Sequence, residues 1–467
     1  MSLHKPEREP TSHTAVSRRR LLIASAGAAA FAGLGRSRGM AQQATPAALP
    51  PFTREASITS WGFGVEETNP LAYSRVNAFK EAYPSIDIQI VPEFDNQKLL
   101  TGVASGNVPD LLWLDRGTLA SWAARDVLLP LDDFFSTYGI TEDQFYPAAI
   151  GEVKYNGQYY GLPQFMDVRA LYVNNQVLSD AGIDPASIDT SDWESLSDLG
   201  GQLVQKDGDT IQRWGFDTKL QAGTIYMWGQ GNGGQFFDAE GNPTFNDEKI
   251  VDALTWGIKA YDAQGGYGDY QSVSSTWQGD EQFARAQVAM TIYESWMLGI
   301  VGRVAPDLDF TVLGVKQHGG SDLISSTGGQ AWAIPKDAGD VEAAQIFINF
   351  MNQDDTWMLG TKATKDTRLQ NGQLFIPSLT GKPAVDQAQI DQLYEPIAKP
   401  FDDAVKLFPT ILQTSQVRPI SGSPVGSEIN DILTDAVQSA LSNDESAEDA
   451  LSNANDKAKD AIDEFNS

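Results

Sequence analysis

The 467-residue sequence contains no cysteine. That absence excludes a disulfide framework, a thiolate metal site, a cysteine nucleophile and attachment of lipid to an N-terminal cysteine. Histidine is nearly as scarce: of three residues, His4 and His13 fall at the extreme N-terminus, and His318 stands alone before Gly319 and Gly320. One imidazole leaves a Ser-His-Asp triad a single possible base, and neither G-x-S-x-G nor H-E-x-x-H occurs. No metal or cofactor site is expected. Basic residues are also in short supply, with 33 Lys and Arg against 62 Asp and Glu and a net charge of −29. A surface so acidic repels phosphate backbones and anionic lipid, which disfavours nucleic-acid partners and polybasic membrane docking.

Long apolar runs are missing too. The longest, Leu21 to Leu34, is shorter than the roughly 20 residues a spanning helix requires. It follows Ser17 and the arginines 18 to 20 and precedes the small residues Gly39 and Ala41 that flank Met40, so residues 1–41 have the layout of an export signal. The paired arginines resemble a twin-arginine signal, a receptor-read address rather than an anchor; an ordinary secretory signal is the alternative. The mature chain is then expected near Gln42, exported to the periplasm and soluble, with residues 42–57 as a Pro/Ala-rich tether.

What is present is an α/β pattern in a chain long enough for two lobes. Ala72, Val76, Phe79 and Tyr83 share a helical face, Pro84 ends that helix, and Ile86, Ile88 and Ile90 alternate as a strand. Leu111 to Leu114 and Leu171 to Val173 read as short buried strands. Val251, Leu254, Ile258 and Tyr261 form a second helical stripe; Ala344, Ile348 and Met351 form a third. Glu428 to Phe465 reads as amphipathic helices with a solvated acidic face. Gly229, Gly231 and Gly234 satisfy G-x-G-x-x-G, but Met227 and Trp228 before them do not make a β-branched strand, so no dinucleotide site is expected. Eleven tryptophans and many carboxylates suit a sugar, which offers an apolar ring face and a fringe of hydroxyls.

Several segments, read in order, resemble the family 1 extracellular solute-binding proteins of ABC importers, the maltose-binding-protein-like group. They are ITSWGFG from Ile58, ASGNVPDLLWLD from Ala104, YNGQYYGLPQFMDVRALYVN from Tyr155, GGQFFDAEGNPTFND, FARAQVAMTIYESW, and GGQAWAIPKDAGDVEAAQIFINFM. Each is weak alone; their order carries the resemblance. It implies an α/β, two-lobe periplasmic-binding-protein fold of class II with three inter-lobe crossings, placed near Pro163, Lys316 and Asp366. Residues 58–162 plus 317–365 would make the N-lobe, and 163–316 plus 366–467 the C-lobe.

The resemblance also implies ligand-binding residues. Trp61 ends the first strand, with Glu66 just beyond. Asp115 and Arg116 emerge at a strand's carboxyl end, where open α/β sheets hold ligands, although Asp115 also suits a helix cap. Asp167 resembles the family's sugar-binding acid, with Arg169 as a structural partner. Trp296 is the leading stacking platform, with Tyr293 and Glu294 beside it, and Gln221 and Trp228 are second choices. Gly328, Gly329 and Gln330 resemble a glycine turn whose backbone approaches ligand; Trp332 after it suits the core. Arg368 lies near the third crossing. The implied function is capture of a sugar or oligosaccharide by hinge closure and delivery to the permease subunits of an importer, by a monomer that is not an enzyme. The alternatives are a non-sugar solute such as a glycerol-phosphate ester or polyol, or a secreted carbohydrate-active enzyme using paired carboxylates.

Overall fold

A computed structural model describes residues 50–208, 210–276, 279–414 and 423–467. The expected export signal, His4 and His13 lie outside the described residues. Among the described residues no helix is long and apolar enough to cross a membrane.

The chain opens with β1 (Ala56–Trp61), α1 (Pro70–Ala82) and β2 (Ile86–Val91). The Asn69 side chain accepts the Ala72 N–H and Pro70 occupies the first turn, so α1 starts where its cap and fixed φ dictate. Its Ala72, Val76 and Phe79 are buried, as their spacing predicts. β3 (Leu111–Asp115) runs into α2 (Arg116–Ala124); β4 (Leu162–Pro163) and β5 (Asp167–Asn174) follow. Next come β6 (Gln205–Asp207), β7 (Thr210–Asp217), α3 (Ile225–Gly231), α4 (Glu248–Asp262), β8 (Val288–Glu294), α5 (Met297–Val304) and β9 (Phe310–Leu313). β10 (Thr327–Gly328), β11 (Gln330–Ala333), α6 (Val341–Asn352), α7 (Asp354–Gln370), α8 (Pro383–Gln392) and α9 (Lys399–Thr414) lead to the last helices, α10 (Gly426–Leu441) and α11 (Ala447–Phe465).

These strands form two principal sheets. The first has the order β2-β1-β3-β11-β4, with β1 parallel to β2 and β3 and with β11 antiparallel to β3 and β4. The second has the order β9-β5-β8-β7-β6, with β10 paired to β5. Each sheet has its own core: Ile58, Phe79, Leu112, Trp332 and Phe347 belong to one, and Tyr172, Trp214, Trp228, Ile292 and Val437 to the other. The α4 stripe is rotated from the expected one, because Ile250, Leu254, Gly257 and Tyr261 are buried whereas Val251 and Ile258 are only partly so.

Three passages join the sheets. The first runs from Pro163 to Asp167, between β4 and β5. The second is Gly328 to Gln330, not Lys316: Lys316 sits in a small hairpin, and β10 still pairs with β5 through Thr327–Val168 and Gly328–Asp167. The third lies beyond Asp366, since α7 continues unbroken to Gln370 before Gly372 turns the chain at φ +67° and Leu374 joins the larger core. The G-x-G-x-x-G segment forms the end of α3, not a phosphate loop, and a side chain on Gly229 would come within 2.8 Å of the Phe236 ring.

On α8, Asp386 is enclosed, with one carboxylate oxygen accepting the Thr380 N–H at 2.8 Å and hydroxyl at 2.7 Å. Burial pushes its carboxyl up to about 7. A folded-state value above the unfolded one means that the folded chain holds the proton more tightly, so stability falls as pH rises from about 4 to about 7 and is level above. Chemical denaturation of the wild type and Asp386→Asn across this window should show the substitution removing that part of the slope. Parallel pH profiles for the two proteins would contradict the assignment.

Candidate functional site

The strand registers bring particular chain ends to one place. In the first sheet Gln330 pairs with Asp115 and Ala331 with Pro163, so the carboxyl ends of β3 and β4 share an edge with the start of β11. Parallel β1 directs Trp61 toward that same edge. In the second sheet Arg169 pairs with Glu294 and Asp167 with Gly328, which puts the start of β5 beside the carboxyl end of β8 and the end of β10. The Pro163–Asp167 and Gly328–Gln330 passages therefore connect the functional edges of both sheets, the location where open α/β sheets bind ligands.

Charge is concentrated at this junction. Asp167 Oδ1 accepts the Gly328 N–H at 2.9 Å and Arg169 Nη1 at 2.6 Å, while Arg169 Nη2 donates to Glu294 Oε1 at 3.0 Å. Asp115 caps α2 by accepting the Gly117 N–H at 2.8 Å, yet its side chain remains open to solvent. Desolvation by the surrounding walls raises its carboxyl, and the Asp167 charge adds to that, against the opposing pull of the Gly117 bond, Arg116 and Arg169.

Trp296, 37% exposed, stands at the N-terminus of α5 just after β8. The Tyr293 ring meets it edge-on at 5.3 Å and is itself held by a hydrogen bond from its hydroxyl to Asp280. Lys219, paired with buried Asp217 at 3.0 Å, lies 4.9 Å from the Tyr293 centroid. Gln221 bridges Tyr261 (2.6 Å) and Tyr270 (2.8 Å), whose hydroxyls both donate to Asp217. Gln221 and Arg169 open onto a groove of about 400 Å³, together with Thr327 and with Asn430, Asp431 and Thr434 of α10. Those three α10 residues were not identified from sequence. Their polar spacing looks like any solvated helix face, and nothing local distinguishes a face turned toward a groove.

Other predicted residues have different roles. Trp228 is fully buried, with its indole N–H donated to the Thr218 carbonyl at 3.1 Å and its ring against Trp193 and Trp256, so no ligand reaches it. Arg116, 1% exposed, is consumed internally: it donates to Glu152 Oε2 (2.7 Å), Gly328 O (2.9 Å) and Phe165 O, tying two passages together. Gly329, at φ +142°, is needed where those passages touch, since a Cβ there would fall 2.0 Å from the Phe165 carbonyl. Gln330 receives the Gln164 N–H on its carbonyl. Trp61 is nearly buried under Lys98, whose Nζ is 4.1 Å from the ring centroid, and exposed Glu66 accepts the Thr68 hydroxyl. Arg368 donates to Gln373 and lines a separate groove with Asn69 and Trp357. His318 packs on Trp193 with ring centroids 4.4 Å apart and planes tilted by 34°. Among the described residues no cluster of three His, Asp or Glu is arranged to hold a metal ion.

Residues 66–356 match the sequence profile of the bacterial extracellular solute-binding proteins. An arabinooligosaccharide-binding protein of Halalkalibacterium halodurans is 26% identical over 42% of this chain and 43% of its own length, so the match spans less than half of that relative. An ABC transporter extracellular-binding protein of Pyrococcus horikoshii is 25% identical over 85% of this chain and 87% of its own. The mannotriose-bound structure of CpMnBP1 superposes with a TM-score of 0.70 at 22% identity, covering 86% of this chain and all of that one. These likenesses agree with the two-lobe α/β fold described above.

Removing the Arg116 guanidinium would leave Glu152 buried and the Phe165 and Gly328 carbonyls without their donor. Arg116→Met should therefore destabilise the chain by roughly 3 kcal/mol or more in urea unfolding. Trp228→Ala should cost about 3–5 kcal/mol through the void it leaves. A stability loss under about 1 kcal/mol for either would contradict these assignments.

Proposed function

The chain belongs to the bacterial extracellular solute-binding proteins, and from that premise we propose that it captures a neutral sugar or short oligosaccharide at the junction of its sheets and hands it to an ABC importer. The observation that carries this reading is an accessible indole, Trp296, two residues beyond Glu294, which ends the Asp167–Arg169–Glu294 ion-pair chain that neighbours Asp115. A flat ring covers the apolar face of a sugar while carboxylate and guanidinium groups meet its hydroxyls. The groove of about 400 Å³ falls within the ~300–1,000 Å³ typical of small-ligand clefts.

The balance of charge favours an uncharged ligand. Arg169 is already shared by two carboxylates, and Asp115 and Asp431 add negative charge nearby. A phosphate ester would find no uncommitted guanidinium here, which weighs against a glycerol-phosphate solute. The same commitment weighs against glycosidase chemistry, because Asp167 and Glu294 are bound to one guanidinium rather than poised across a scissile bond. The chain acts without breaking bonds in its ligand.

The three passages permit hinge closure, with residues 58–162 and the segment from β11 through α7 as one lobe and the remainder as the other. A ligand touching both lobes stabilises the closed state in proportion to its differential affinity. Stacking plus several hydrogen bonds supports micromolar binding, about 8 kcal/mol. The leader at residues 1–41 fits export to the periplasm, with permease subunits as the partners and a monomer as the working form.

Thermal-shift screening of mono-, di- and trisaccharides should find a sugar that raises the melting temperature, and chromatography should recover that sugar unchanged. Trp296→Ala should abolish the shift while leaving the unliganded melting temperature within a few degrees. A persisting shift in that variant, or sugar products in the eluate, would overturn the reading.

A further inference from the structure

At the functional edge of the second sheet β7 stops short of its neighbour. β7 and β8 run parallel with Thr291 level with Asp217, so β8 continues to Glu294 after β7 has ended. Extending that register brings Lys219 level with Tyr293. The contact is made: the Lys219 ammonium stands over the Tyr293 ring, 4.9 Å from its centroid.

The backbone at Lys219 is left-handed, with φ +59°. Asp126, Asn156 and Asn443 share that conformation, but Asp and Asn reach it readily, whereas a long side chain is uncommon there. Asp217 holds the conformation, since its carboxylate accepts the Lys219 N–H at 2.9 Å and pairs with Nζ at 3.0 Å. A strained residue fixed through both its backbone and its side chain points to a use for that side chain. Balancing the buried Asp217 charge is one such use. A second lies in what the ammonium touches. Tyr293, 7% exposed, donates its hydroxyl to Asp280, receives the ammonium over its ring and meets the Trp296 indole edge-on at 5.3 Å. The negative face of a phenol ring attracts a cation, and an edge-to-face pair depends on the orientation of both rings.

We propose that Lys219 is a positioning residue of the sugar site, fixing the Tyr293 ring and through it the plane of the Trp296 platform. The proposal rests on the sugar-binding reading for the identity of the guest, whereas the Asp217–Lys219–Tyr293–Trp296 chain of contacts stands without it. A ring held in place before the guest arrives loses less freedom on binding, which favours affinity.

The test records ¹⁵N-indole spectra of the sugar-free chain for the wild type, Asp217→Asn/Lys219→Asn, Asp217→Asn/Lys219→Gly and Lys219→Arg, with Trp296→Phe identifying the Trp296 cross-peak. The paired substitutions remove both charges, so no unpaired carboxylate is left buried, and Asn and Gly accept the left-handed backbone. Folding of each is checked by circular dichroism. The Trp296 cross-peak should be displaced in both paired variants and stay at the wild-type position in Lys219→Arg, whose guanidinium stacks on the same ring. Trp214, packed against Tyr261 and Tyr270, reports the Asp217 side of the wall. Displacement at Trp214 alone would reduce Lys219 to charge balance and overturn the proposal, as would a Trp296 peak unmoved in a folded paired variant or displaced as far in Lys219→Arg. Calorimetric titration with mannotriose, maltotriose and lactose should then show any affinity of the wild type weakened about fivefold or more in the paired variants, and an unchanged affinity would also overturn it. A wild type that takes up none of these sugars would count against the sugar-binding reading instead, while the sugar-free spectra decide the role of Lys219 by themselves.

Discussion

The buried Arg116 guanidinium is the interaction on which the rest of the molecule turns. It sits at the start of α2 and donates to carbonyls from the first passage and the second, while Glu152 neutralises it. A charge this deep is tolerated only when paired and fully hydrogen-bonded. Five donors in a fixed fork make arginine suited to the position, because a lysine would present a point charge without the planar reach. By holding Phe165 and Gly328 together it sets the spacing between Asp115 in one sheet and Asp167 and Glu294 in the other.

Around that clasp the electrostatics are graded from closed to open. Arg116 and Glu152 are sealed, Asp167 and Arg169 are mostly covered, and Glu294 and Asp115 meet solvent. The covered members fix geometry; the open ones keep carboxylate oxygens accessible to solvent. Further out, Asp217 anchors Tyr261, Tyr270 and Lys219, which orders the wall bearing Gln221 without offering that carboxylate to ligand.

Much of the fold was legible because its signals are local. The α1 stripe, the Ile86 to Ile90 alternation and the short strands at Leu111 and Leu171 depend on periodicity, and each appears where its spacing placed it. The second passage was misplaced because pairing of Thr327 with Val168 is a contact between distant residues, invisible to any local pattern. Residue chemistry alone also could not separate Trp228 from Trp296. Both follow apolar segments, yet one is packed under α4 and the other sits at a helix start beyond a strand end. Arg116 was misjudged for a related reason: its position at a strand's carboxyl end was right, but the carbonyls that occupy it come from positions far along the chain. Asn430, Asp431 and Thr434 carry no signature other than polarity.

Among the described residues Trp296 is the one tryptophan classed as exposed, the others being buried or half-buried. A small aqueous quencher such as iodide would therefore collide with that indole far more often than with its shielded counterparts. The molecule thus carries an intrinsic optical reporter at the start of α5, and any guest that covers the ring announces itself as a loss of collisional quenching, with no label attached.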